Sequence, residues 1–107
     1  MKVDRRARTA IDLETSGDNT VVASPGAGKF IEIDHLDFLC SGGANTIRIK
    51  AGSSVIARYS LDDAQGYQFD FNTESGPLAL DMDTGLVLNL YGSTQVEGLV
   101  IYRIVGE

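Results

Sequence analysis

Four places in this chain collect residue types that chemistry uses. His35 stands between Asp34 and Asp37, with Cys40 five residues further on. Gly26-Ala27-Gly28-Lys29 has the outline of a phosphate loop, and Asp81-Met82-Asp83-Thr84-Gly85 that of a calcium loop. Tyr67, Phe69 and Phe71 alternate as an aromatic stripe. Each constellation lacks the partners its chemistry requires. On a regular strand, residues five apart point to opposite faces, so His35 and Cys40 do not make a nucleophile–base pair. Metal enzymes on a jelly-roll frame use at least two histidines with a carboxylate, and His35 is the only histidine. A phosphate loop has an earlier glycine where this chain has Ala23, a Ser or Thr where it has Phe30, and a following helix. A calcium loop of the EF-hand kind needs further oxygen ligands and a closing glutamate. The aspartates at 81 and 83 are instead what a turn selects, because their side chains accept local backbone N–H groups. No Gly-x-Ser-x-Gly elbow occurs. With no tryptophan in the chain, the aromatic stripe fits the core face of a strand better than a sugar platform. The expectation is a protein with no catalytic, cofactor-binding or metal-binding residues.

The elements that carry these residues are strands. The stretch from Gly76 to Val105 alternates apolar and polar residues at Leu78, Leu80 and Met82 and again at Leu86, Leu88 and Leu90. It ends in a run, Val96 to Val105, that is apolar on both faces. Period-two alternation marks a half-buried strand, and a two-faced apolar run marks one that is central or lies in an interface. Upstream, Arg8 to Glu14, Thr20 to Ser24, Thr46 to Ala51, Val55 to Tyr59 and Tyr67 to Phe71 read as strands, with Thr15 to Asn19 as a turn. Lys29 to Cys40 is long and changes phase. Ile31 and Ile33 share one parity, while Leu36, Phe38 and Cys40 share the other. One core can take both sets only if the strand contains a bulge near His35 or passes between two sheets. About eight strands at short spacing on 107 residues predict an all-β fold, an antiparallel β-sandwich of jelly-roll type.

Charge divides the chain. Residues 1–8 hold Lys2, Arg5, Arg6 and Arg8 against Asp4, a net of +3, whereas the remainder nets −9. An acidic body argues against a nucleic-acid surface. There is no apolar run of about 18 residues, so no membrane-spanning helix is expected, and the basic start lacks the apolar segment of a secretory signal. Cys40 is the single cysteine, expected as a small buried apolar residue. The division predicts a flexible basic arm at 1–8 and one sandwich domain at 9–107, the arm ordering on an acidic partner.

Two segments carry a resemblance. Gly17-Asp18-Asn19-Thr20-Val21-Val22-Ala23 leads through Gly28-Lys29-Phe30-Ile31-Glu32-Ile33 into a long strand. Gly85 to Leu90 leads through Gly92-Ser93-Thr94-Gln95-Val96-Glu97-Gly98 into a closing strand ending Tyr102-Arg103-Ile104-Val105. In that order, over residues 16–105, the chain resembles small virion structural proteins of tailed bacteriophages, including capsid decoration (cement) proteins. The resemblance implies a non-enzymatic protein made in the host cytoplasm and seated on the capsid exterior. It implies the major capsid protein as partner, self-association as a trimer or other small homo-oligomer, and no cofactor. Lys2, Arg5, Arg6 and Arg8 are then the expected capsid contacts, and Leu99, Ile101, Tyr102, Arg103 and Val105 the expected oligomer interface. The alternatives are a head–tail or tail component of the virion, and a carbohydrate-binding sandwich using Tyr67 and the loops at one end.

Overall fold

The strand patterns close into two antiparallel sheets. The computed structural model describes residues 6–71 and 76–106. Its strands are β1 (Ala7–Leu13), β2 (Gly17–Val22), β3 (Lys29–Ser41), β4 (Asn45–Ala51), β5 (Ser54–Leu61), β6 (Gly66–Asp70), β7 (Leu78–Ala79), β8 (Leu86–Leu90) and β9 (Gln95–Gly106). One sheet runs β1-β9-β3-β6, with the two-residue β7 also paired to β3; the other runs β2-β8-β4-β5. The chain crosses between sheets at nearly every turn, and the interleaved order is that of a jelly roll. The inward residues of both sheets make one core. Ile31, Ile33, Leu36, Phe38, Cys40, Val96 and Val100 meet Ile47, Ile49, Leu86, Leu88 and Leu90 across it.

The phase change in β3 is a bulge. Ile33 lies opposite Tyr102 and His35 opposite Ile101, so Asp34 is the extra residue with no partner across the strand. One inserted residue turns Leu36, Phe38 and Cys40 to the same face as Ile31 and Ile33, and all five are buried. The two-faced β9 is central, held between β1 and β3. The aromatic stripe faces inward at the sandwich edge. Phe69 and Phe71 stack at 6.0 Å against one another, and Tyr67 lies 4.7 Å from Tyr59 of β5.

Three expectations need correction. Residues 17–19 belong to β2 and not to a turn, because Gly17, Asp18 and Asn19 pair with Leu90, Asn89 and Leu88. Met82 does not join Leu78 and Leu80 on an inward face. The chain turns there, Asp83 takes a positive φ and donates its N–H to the Lys29 carbonyl, and Met82 is left 60% exposed. The arm does not extend to residue 8: Ala7 and Arg8 are in β1, opposite Tyr102 and Ile101.

Outside the core, the four-stranded sheet is clasped by one carboxylate. Asp18 Oδ1 accepts hydrogen bonds from Asn89 Nδ2 at 2.7 Å and Lys50 Nζ at 3.0 Å, joining β2, β8 and β4. These bonds, that from Asn89 first, hold the Asp18 carboxyl below its ordinary value of 3.8. A depressed carboxylate contributes stability above its unfolded pKa and loses it as pH falls through the folded one. Asp18→Asn is therefore expected to lower the melting temperature near neutrality, with the deficit closing as the pH falls below 3.8. A deficit that persists unchanged into strong acid would contradict the clasp. Thermal melts of both proteins across pH make the measurement.

Candidate interaction surface

The bulge in β3 organises the outer face of the five-stranded sheet. Strand alternation sends Ile33 and Leu36 inward and aims Glu32, His35, Asp37 and Leu39 outward. Asp34, the inserted residue, keeps its carboxylate at the sheet surface with a side chain only 5% exposed. A buried charge at a surface must be matched by its neighbours. Arg6 Nε lies 2.9 Å from Asp34 Oδ2, off the angle of a hydrogen bond, so that oxygen is charge-paired without being hydrogen-bonded. Arg103 approaches Oδ1 to 3.9 Å with one guanidinium nitrogen, and its Nε donates to Glu32 Oε1 at 3.0 Å. The Asp34 backbone carbonyl accepts the Phe71 N–H at 2.8 Å, which ties the end of β6 to the bulge.

Register lays the rest of the surface out in rows. Arg8, Ile101, His35 and Asp70 lie side by side across four strands, and Ala10, Leu99, Asp37 and Gln68 form the next row. His35 Nε2 is 2.6 Å from Asp37 Oδ2, and Asp37 Oδ1 accepts the Leu99 N–H at 3.1 Å. Two shallow clefts result. One of about 240 Å³ lies between Arg6, Asp34, His35, Asp70, Leu99 and Ile101, and one of about 220 Å³ between Arg6, Ala7, Arg8 and Ile101. Arg6 and Ile101 form the wall between them.

Some of the expected contact residues lie on this face. Arg6 and Arg8, proposed from charge, stand beside Leu99, Ile101 and Arg103, proposed from the two-faced apolar run. Val105 lies on the same outward parity, opposite Phe30. Tyr102 does not belong with them. It alternates to the inner face, opposite Ile33, and packs against the core. Lys2 and Arg5 lie outside the described residues. Leu99, Ile101 and Val105 are half-buried, so the apolar outer face of β9 is partly covered by the chain's own polar side chains. Sequence reasoning missed Asp34 as the centre of this surface. Its one legible signal is the parity break, which requires an extra residue beside His35.

Charged and half-buried apolar side chains make up this surface. Cys40 faces the core and is fully buried, and burial pushes its thiol above the ordinary value, away from the reactive thiolate. Among the described residues, no group of three or more His, Cys, Asp or Glu side chains could hold a metal ion. The glycine-rich segment before β3 is a turn, closed by the Lys29 N–H on the Gly26 carbonyl. The Asp81–Gly85 segment is also a turn, with Ser24 Oγ donating to Asp83 Oδ1 and Thr84 Oγ1 to the Asp81 carbonyl. No protein-family model matches this chain, and no curated protein matches it.

Proposed function

We propose that this chain is a non-enzymatic structural protein of a tailed-phage virion, a capsid decoration protein that binds the major capsid protein lattice through the outer face of its five-stranded sheet. The observation that supports the reading is the placement of Arg6 and Arg8 beside Leu99, Ile101 and Arg103 on one sheet face around Asp34. An apolar strip flanked by charged groups is the anatomy of a specific protein interface, with the apolar part excluding water and the charges setting register. The phage context rests on the resemblance.

One surface cannot be covered twice. A capsid subunit and a second copy of this chain would compete for Leu99 and Ile101, so a trimer seated on the shell would be joined through other residues. Deleting residues 2–8 is a poor test, because it removes the start of β1 together with the Arg6–Asp34 pair. Point substitutions are cleaner. Arg8→Glu and Ile101→Gln are each expected to cut occupancy on expanded capsids by about tenfold, the ordinary loss for one interface contact worth about 1.4 kcal/mol. Melting temperatures should stay near that of the unaltered chain. Co-sedimentation with capsids measures occupancy, and wild-type occupancy in both variants would remove this face from consideration.

A further inference from the structure

The opposite sheet carries an exposed aromatic residue that the fold does not use. Tyr91 follows β8 and is 77% exposed, the largest exposure of any large apolar side chain among the described residues. It is also firmly placed. Its N–H donates to the Thr46 carbonyl at 2.9 Å. The next residue, Gly92, is held at both ends by the buried Asn45, whose Oδ1 accepts the Gly92 N–H at 2.9 Å and whose Nδ2 donates to the Gly92 carbonyl at 3.1 Å. Asn45 Nδ2 also donates to the Thr94 carbonyl, and Thr94 Oγ1 donates to that of Ala44. A large ring left in water on a stitched turn adds little to folding, and Tyr is the kind of side chain that recognition surfaces favour.

Beside the ring lies a shallow hollow of about 330 Å³, lined by Asn45, Thr46, Ser60, Leu61, Asp62 and Tyr91. Thr46 Oγ1 and Ser60 Oγ lie 3.3 Å apart across β4 and β5, and each hydroxyl has hydrogen-bonding capacity left over. The Asp62 backbone N–H donates to Gln65 Oε1, but its carboxylate is taken up by no donor or cation among the described residues. The hollow thus combines an apolar ring face, a carboxylate that accepts two donors, and two hydroxyls. A ligand complementary to that set has one C–H face and a rim of neutral hydroxyls. Asp62 opposes an anion, and the cations nearest along this face, Arg48 and Arg58, sit one row beyond Thr46 and Ser60, outside the lining.

We propose that the hollow between Tyr91, Asp62, Thr46 and Ser60 is a binding site for a neutral pyranose sugar, with the Tyr91 ring stacking on the sugar's C–H face and Asp62 accepting its hydroxyls. This second function is independent of capsid binding, since it uses the other sheet. The Tyr67 stripe is not part of it: Phe69 and Phe71 pack against the core, and Tyr67, partly exposed, lies against Tyr59 and Phe69 and outside the lining of this hollow.

The test is a titration of the full ¹⁵N-labelled chain, followed by amide shifts, with the methyl pyranosides of glucose, galactose, mannose, fucose, N-acetylglucosamine and N-acetylgalactosamine. At least one is expected to give saturable shifts at residues 44–48, 60–62 and 91–94, with a dissociation constant on the order of 1 mM. Tyr91→Ala and Asp62→Asn should each weaken binding about tenfold or more, whereas Tyr91→Phe should retain it. Both altered side chains lie at the surface, so spectra of the variants away from the hollow should match the parent. The proposal is overturned if no glycoside gives saturable shifts there, or if the shifts survive unchanged in Tyr91→Ala.

Discussion

Replacing Gly98 with alanine is expected to lower the melting temperature by on the order of 10–20 °C, the shift that about 2–3 kcal/mol produces in a domain of this size. Gly98 lies in the central strand β9, opposite Phe38 of β3. A Cβ built on it would stand 2.0 Å from the Asp37 carbonyl oxygen, 2.7 Å from the Asp37 carbonyl carbon and 2.9 Å from Asp37 Oδ1. Two of these atoms are backbone of the neighbouring strand, so no side-chain rotation relieves the clash, and one of the longest ladders in the sandwich must open. Relief is blocked from the other side as well. Gly66 of β6 approaches the Phe38 carbonyl so closely that a Cβ there would come within 2.4 Å of its oxygen. The same substitution should disturb the interaction surface, because Asp37 holds both His35 and the Leu99 N–H. Thermal unfolding followed by circular dichroism gives the number, and a melting temperature within 2–3 °C of the parent, about half a kcal/mol, would show that the two strands can separate freely.

Removing both cations from Asp34 should cost about 3 kcal/mol. Breaking a buried pair by deleting one partner strands a desolvated charge, a loss of about 3–5 kcal/mol in general. Arg6 is half exposed and its pairing is screened by water, which puts the Arg6→Ala, Arg103→Ala double variant at the lower end. Each single variant should lose less, since the other guanidinium remains. Adding Asp34→Asn to the double variant removes the stranded charge and should restore part of the loss. Urea denaturation of the parent and these four variants measures it. A triple variant less stable than the double would mean that the Asp34 carboxylate matters through shape or hydrogen bonding and not through charge.

The architecture was legible where alternation has a physical consequence. The parity switch between Ile33 and Leu36 has few solutions on one core, and the bulge at Asp34 is one of them. The two-faced run of β9 required cover on both sides: the opposite sheet covers Val96 and Val100 on its inner face, and Leu99, Ile101 and Val105 on its outer face are left half-buried. His35 and Cys40 part to opposite faces because the strand is regular between them. What stayed hidden depends on register between distant segments. Arg6 and Arg103 reach Asp34 from opposite ends of the chain, and no local pattern announces that meeting. Tyr102 looked equivalent to Ile101 in composition, but alternation puts it on the other face once the phase of β9 is known. Met82 kept the alternation in letters and lost it in space, because the Asp83 turn ends the pairing that β7 began. Tyr91 reads as one more apolar residue closing a strand, and only the Asn45-bound turn shows it standing in solvent.

The proposed capsid-binding role is tested most directly by electron microscopy of purified tailed-phage particles incubated with this chain. It predicts this β-sandwich on the capsid exterior, with Arg8, Leu99 and Ile101 turned toward the major capsid protein and Tyr91 directed away from that contact. Density for the chain at the head–tail junction or tail, its absence from particles, or a capsid contact made through the β2-β8-β4-β5 sheet would contradict it.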